Sequence, residues 1–478
     1  MVEPAGLVWL LILCTGLVRL GLGAAIGLGV DESYMVSAGR GLRLGYFDHP
    51  PVSWWMSGGV VWLVGSEAAW VVRLPFVAAF AGSTWVMARL TAGMFGAWAG
   101  VWAAVAFNVA PVFGVTTGGW VLPDGPMVLG LLAAVFCLVR GVERGGWGWW
   151  LGAGAAAGGA VLSKYSAAVV LTGGVVALAT VPGWRGWWRR PEPYVAGVVA
   201  MVVFAPVVIW NASNGWVSFA FQGGRAAVAR FQPFGPVVVL AGAAGFLLPW
   251  VWAGLMAGLW RGMQGGPGQR FGWLMAWLAV GPIVVFAVVA LWSRSVLFHW
   301  AMPGYLFLFP VLGAWLAEWR GARRWAVGSA CLVAVGLGVG VSEVRWNWLG
   351  WVRPGLDPGL QAVDFTPLRG VLEARGLLGQ AVAAPSWNDA GKVDYALGGR
   401  VDVVAMTEDA RQFGFRARPA LGADVLIVAP RQDEARIRGA YAGRFGSIEV
   451  LVPAEMVLPG RGVVMVPLFM GRGLISWP

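Results

Sequence analysis

Long apolar runs recur along most of the chain, and this recurrence limits the fold more than any motif does. A helix needs about 20 mostly apolar residues to cross a bilayer. Runs of this kind lie near 5–27, 74–89, 94–112, 125–139, 148–163, 166–182, 193–211, 236–260, 271–292, 300–318 and 325–342. A further run at 52–70 fits another span or an interfacial helix. The expected architecture is a polytopic α-helical membrane protein with about 11–13 transmembrane helices. Composition agrees: of 478 residues 58% are hydrophobic, with 73 Gly and 32 Trp, and membrane helices tolerate Gly while Trp gathers at their interfaces. The first run lacks a basic start and continues into a polar motif, so it reads as a span rather than a cleavable signal. The three cysteines, Cys14, Cys137 and Cys331, sit inside apolar stretches without metal or disulfide spacing.

The net charge of +11 reads as membrane orientation rather than nucleic-acid binding. Arg89, Arg140, Arg144, Arg185, Arg261 and Arg320, with their neighbours, fall in alternate loops. The positive-inside rule places those loops in the cytoplasm. The other face then holds the first outer loop, 28–73, and everything after residue 342. It also holds Asp124, Lys164, Arg225, Arg294 and His299. Cations on the outer face run against the bias, which a bound anion or charge pairing with first-loop acids would explain.

After residue 342 the texture changes, giving an expected division into 1–342 and 343–478. The segments AVAAPS, VDVVAM, ADVLIVAP, SIEVLV and GVVMVPL read as strands. WNDAGKVDYALGG reads as a helix starting near Asn388 or Asp389 and ending at Gly398–Gly399, and RQDEARIRGAYAGRFG as another. Strands alternating with helices predict a small α/β domain outside the membrane.

Polar chemistry concentrates in DESYMVSAGRGLRLGYFDHPP, residues 31–51. Asp31 and Glu32 read either as helix-start residues or as a functional acidic pair. Tyr46, Asp48 and His49 precede Pro50 and Pro51, which stiffen the segment in an extended form. Asp124, in WVLPDGPMVLG, reads as an N-cap with Pro126 in the first helical turn, and also as a ligand-facing carboxylate. Lys164 lies between two apolar runs, where an ionisable group marks a functional site by default. Arg225 follows two glycines in FQGGR, after Gln222; Arg294 and His299 flank another outer helix end and equally suit lipid headgroups. The histidines His49 and His299 both map outside, but they lack metal-ligand spacing. No P-loop, GxSxG or HExxH motif is present.

In order along the chain, DESYMVSAGRGLRLGYFDHPPVSWW, LPDGPMVLGLL, GGAVLSKYSAAVVL, PVVIWNASNGWVSFAFQGGR and FHWAMPGYLFLFP resemble bacterial GT-C-fold glycosyltransferases that use polyprenyl-phosphate sugars. These are relatives of protein O-mannosyltransferases and of the lipid A aminoarabinose transferase. The tail segments WNDAGKVDYALGGR and DARQFGF extend the resemblance. It implies inverting sugar transfer from a polyprenyl-phosphate donor to a membrane-lipid, glycan or protein acceptor, on the periplasmic face of the bacterial inner membrane. Asp31 and Glu32 match the family's acidic pair; Asp48, His49 and Pro50 match its carboxyl–cation–Pro element; Asp124 and Arg225 match a later carboxylate and arginine. His49 replaces a lysine of the aminoarabinose branch. Gln222 lies near the place of a metal-associated histidine, so the metal is unknown and a divalent ion is possible; no other cofactor is implied.

The expected roles are these. Asp31, Glu32 and Asp124 are catalytic. Lys164, Arg225, Arg294 and His49 bind donor phosphate. Tyr46, Asp48, Gln222 and His299 bind acceptor or sugar. A transporter or lipid flippase is the competing class, but a proton relay would place its ionisable groups at mid-membrane depth, whereas these gather at one face. A sensor with an outer ligand-binding domain leaves the acid-rich first loop unexplained.

Overall fold

The computed structural model describes residues 3–225, 230–293, 296–349 and 361–478. These form two compact units. The first comprises residues up to Leu20, Arg43–Ser53 and Leu74–Ala334; the second comprises Gly21–Leu42, Trp54–Arg73 and Val335–Pro478. The sequence reading assigned 21–42 and 54–73 to the membrane part, whereas here they group with the tail.

Among the described residues, seven helices are long and apolar enough to cross a membrane, and an eighth is counted if one bent pair is a single span. They are Pro4–Ala25, Ala69–Phe95, Asp124–Arg144, Glu192–Ser213, Arg270–Val289, Phe298–Glu318 and Ala322–Trp346. The shorter helices Ala97–Val109, Trp147–Ser163 and Ala167–Thr180 occupy three further expected spans. The run at 52–70 becomes a 13-residue helix, Val52–Val64. The expected single span at 236–260 is instead two helices, Gly235–Leu247 and Pro249–Gly265, bent by 115°. The reason lies in LLPW: Pro249 disfavours helix at the preceding residue, and Leu248 takes φ +72°.

Within the first unit, close packing depends on small residues. A Cβ on Gly154 would lie 2.3 Å from the Ala196 carbonyl oxygen, and one on Gly158 would lie 2.6 Å from that of Ala200. Helices Trp147–Ser163 and Glu192–Ser213 therefore touch backbone to backbone, as small-xxx-small pairs allow in lipid. One half-buried polar knot holds the first helix. Arg19 donates to the Gly114 carbonyl (2.8 Å) and to Asn108 Oδ1 (2.9 Å), and stacks 4.4 Å over Phe80. The Gly114 carbonyl belongs to a π-helical turn, Val112–Thr117, and such turns free carbonyls for partners of this kind.

The second unit is built on a five-stranded mixed sheet. Its strands are β1 (Ala381–Ala384), β2 (Val403–Ala405), β3 (Val425–Val428), β4 (Phe445–Leu458) and β5 (Gly462–Leu474). The order is β2-β1-β3-β5-β4. β1 runs parallel to β2 and β3, and β5 runs antiparallel to β3 and β4. All five expected strands form. All four residues of β3 are buried, which its uninterrupted apolar sequence requires. Helix Trp387–Leu397 begins one position before Asn388, the first expected start, and its N-cap is Ser386, whose hydroxyl accepts from the Asp389 N–H. This helix packs on Val30–Gly39 so closely that a Cβ on Gly391 would lie 2.8 Å from Tyr34 Cα. Tyr34 itself is buried, with its ring 5.1 Å from that of Trp387.

Candidate active site

The first unit gathers eight of the expected site residues: Tyr46, Asp48, His49, Asp124, Lys164, Gln222, Arg225 and His299. Lys164 closes the Trp147–Ser163 helix as an extended C-cap residue. Its ammonium donates to both carboxylate oxygens of Asp124, at 2.9 and 3.0 Å. The side chains are only 13% and 19% exposed, so the pair sits largely out of water, where mutual attraction is strong. Asp124 is not the N-cap: Pro123 holds that position and the Asp124 carboxylate turns to Lys164 instead. His49 and His299 both lie close enough to act electrostatically on Asp124, and His299 also feels Lys164 and Arg225. Lys164 therefore pairs with Asp124, not with the first-loop acids.

Around this pair the polar segment 43–53 is tied down. The Gln222 amide donates to the Asp48 carbonyl, and the Phe47 and Phe221 rings lie 5.0 Å apart. Tyr46 is fully buried and accepts from the Arg43 N–H at 3.3 Å. Burial pushes its hydroxyl pKa up to about 12, so it remains neutral at physiological pH. Gln222 and Arg225 lie on a helix, Val217–Arg225, where the sequence suggested a loop. The Arg225 guanidinium stacks 4.4 Å over Trp300. Tyr165 hydrogen-bonds Ser218 at 2.8 Å, and Asn211 accepts from the Ser218 N–H at 3.1 Å; sequence reasoning did not single out this group. Arg294 lies outside the described residues.

Asp31 and Glu32 fall in the second unit and part ways. Asp31 is exposed on the first turn of Val30–Gly39. Glu32 is turned inward: Arg73 Nε donates to its Oε1 at 2.8 Å, Arg73 Nη2 reaches its Oε2, and the Gly29 N–H donates to it. Both carboxylate oxygens of Glu32 thus take part in contacts that hold the fold here. Arg73 also donates to the carbonyls of Gly23, Ile26 and Gly27, closing the end of the first helix. Lys392 supplies the second clamp, with its ammonium bonded to the carbonyls of Leu28 and Val363. Arg40 adds a third, to Glu67 and Asp394. The sequence signal for Arg73 is an arginine set inside an apolar run, VVRLP.

Burial pushes the Lys392 ammonium pKa from its ordinary 10.5 down to about 7. Between those values the unfolded chain holds a proton that the folded unit lacks. Stability therefore rises with pH from about 7 toward 10.5, and this contribution is absent below pH 7. Lys392→Met is expected to flatten the pH dependence of the unfolding temperature between pH 7 and 9. An unchanged slope in that variant would assign the dependence to another group.

Among the described residues, no group of three or more His, Cys, Asp or Glu side chains is placed to hold a metal ion.

A family model described as dolichyl-phosphate-mannose-protein mannosyltransferase matches residues 48–210, which include Asp48, His49, Asp124 and Lys164. The lipid A galacturonosyltransferase RgtD of Rhizobium johnstonii is 24% identical over 315 residues; the match covers 63% of this chain and 62% of that protein. The match thus spans less than two thirds of that relative's length. Two crystal structures of ArnT from Cupriavidus metallidurans share the fold. The apo form superposes with TM-score 0.70 at 16% identity, covering 96% of this chain and 97% of the other. The form bound to undecaprenyl phosphate gives 0.69 at 17%, with the same coverage. The chain thus has the fold of the ArnT structures, with helices long and apolar enough to cross a membrane, and its residues 48–210 match the mannosyltransferase model.

Proposed function

We propose that the protein transfers a sugar from a polyprenyl-phosphate donor to an acceptor on the outer face of the bacterial inner membrane. The observation that carries this reading is the largely buried Lys164–Asp124 pair, with His49, His299 and Arg225 about it. The bond from the anomeric carbon to the phosphate oxygen breaks as one to the acceptor oxygen forms, inverting the centre. The leaving phosphate gains negative charge, and fixed cations are the main means of stabilising it. In this reading Asp124 orients Lys164 so that its ammonium meets the phosphate, with Arg225 and His49 beside it and Arg294 as a further candidate. Asp31 takes the acceptor's proton as general base. Tyr46, Asp48, Gln222 and His299 hold sugar or acceptor.

The test is transfer of label from a radiolabelled polyprenyl-phosphate sugar to a cell-envelope lipid and glycan extract, using purified protein in liposomes. Label reaching an acceptor supports the reading; movement of intact donor across the bilayer without transfer would establish the transporter reading instead. A charge-assisted contact is worth about 1.5–3 kcal/mol. Lys164→Met and Arg225→Gln should therefore each weaken polyprenyl-phosphate binding by roughly ten- to a hundred-fold. Arg89→Gln and Arg190→Gln should do far less. Lys164→Met also strands Asp124, so Lys164→Met/Asp124→Asn is the needed comparison. Full binding by that double variant would mean that the lysine serves only to pair Asp124.

The orientation has its own test. A C-terminal alkaline phosphatase fusion is expected to be active and a C-terminal green fluorescent protein fusion dark. The opposite pattern would put the tail, and this site's assigned face, in the cytoplasm.

A further inference from the structure

We propose that the second unit carries a binding site for the phosphate headgroup of an anionic phospholipid, distinct from the residues assigned to sugar transfer. The site is a cavity of about 560 Å3. Three membrane-length helices contribute their ends to it: Gly23–Ala25 from the first, Ala69 and Trp70 from the start of Ala69–Phe95, and Arg345 from the last turn of Ala322–Trp346. A cavity so placed opens at the depth where headgroups lie. Exposed Trp70, Trp346 and Trp348 fit the aromatic belt of that depth.

The charge arrangement singles out an anion. Four charged side chains line the cavity: Arg345, Arg369, Glu67 and Asp364. Glu67 is neutralised from outside the cavity, while Asp364 bonds within the wall and keeps its charge there. Glu67 takes a two-point contact from Arg40, with both distances 2.8 Å. Asp364 Oδ1 accepts from the Thr366 N–H and hydroxyl. Neither arginine side chain has a hydrogen-bond or ion-pair partner among the described residues. Two guanidinium groups thus line the cavity with no donor spent on another described residue, the arrangement that takes phosphate.

Local backbone supports this. Gly398 caps its helix at φ +63°, where a side chain is disfavoured; a Cβ there would also meet Arg369 Nη1 at 3.2 Å. The first turn of Ala69–Phe95 turns its positive end toward the cavity. At the C-terminal end of the first helix, three carbonyls that would repel an anion are already taken by Arg73. Basic pockets between membrane helices take lipid headgroups in this way. A free phosphate offers the same anion, so the test must separate the two sources.

The test is binding of fluorescent phosphatidylglycerol to the detergent-purified full chain, read without any sugar transfer. Saturable binding is expected, with phosphatidylcholine and inorganic phosphate competing poorly. Arg345→Gln and Arg369→Gln should each weaken it about tenfold, while Arg345→Lys/Arg369→Lys keeps most of it. Asp364→Asn removes a negative wall charge and should tighten binding, a gain that misfolding cannot imitate. Equal affinity in the glutamine variants, or none gained by Asp364→Asn, overturns the site. Full displacement by inorganic phosphate overturns the lipid as its occupant.

Discussion

Asp31→Asn is expected to lower sugar transfer by about 10²–10⁴-fold, the range in which positioned general bases contribute, while leaving the protein folded in the membrane. Asp31 is exposed, so the amide replaces the carboxylate without stranding a buried charge. It keeps the size of the side chain and loses its negative charge and the capacity to take a proton. Polyprenyl-phosphate binding should be unchanged, because the proposed phosphate contacts belong to other residues. The measurement is single-turnover transfer alongside donor binding, on protein whose unfolding temperature matches the parent. Turnover within a few-fold of the parent would remove Asp31 from the reaction. Glu32→Gln separates the two members of the acidic pair, since its expected effect is on stability.

Arg73→Met is expected to cost about 3–5 kcal/mol of stability, as breaking a buried ion pair from one side does. Arg73 and Glu32 are each 3% exposed. Removing the guanidinium takes the ion-pair partner Arg73 from a buried Glu32 carboxylate and leaves the Gly29 N–H still on it. It also frees the carbonyls of Gly23, Ile26 and Gly27 at the end of the first helix. Glu32→Gln should destabilise too, by leaving Arg73 uncompensated. The double variant should lose less than the sum of the two, because the pair is coupled. Unfolding in detergent, followed for all three variants and the parent, reads this directly. Additive losses, or an Arg73→Met protein as stable as the parent, would show that Glu32 and Arg73 do not hold the segment around Asp31.

The two predictions concern neighbours in sequence whose roles the linear chain could not separate. Asp31 and Glu32 are adjacent carboxylates in a motif dense with polar residues. On a helix, consecutive residues point in directions about 100° apart. One therefore faces outward, and the other meets Arg73, 41 positions later. Such a meeting depends on how helix ends come together, a property that no local pattern encodes. Lys164 and Asp124 are 40 positions apart in the same way. Each reads as a polar residue at the end of an apolar run, and only the packing of their helices makes them one ion pair.

What sequence alone determined was periodic or compositional. Twenty-residue apolar runs can only be satisfied as helices in lipid, so the membrane class was legible. The alternation of short apolar strands with helices likewise revealed the tail, and all five strands formed where read. The strand order β2-β1-β3-β5-β4 was not legible, because pairing joins segments far apart in the chain. The bend at Leu248 was half visible: Pro249 announced a break, but an apolar run continues across it and hydropathy is blind to direction. The grouping of 21–42 and 54–73 with the tail came from tertiary structure alone. Arg73, Lys392 and Arg40 bind carbonyls and carboxylates distant in sequence, and such contacts exist only once the chain has folded around them.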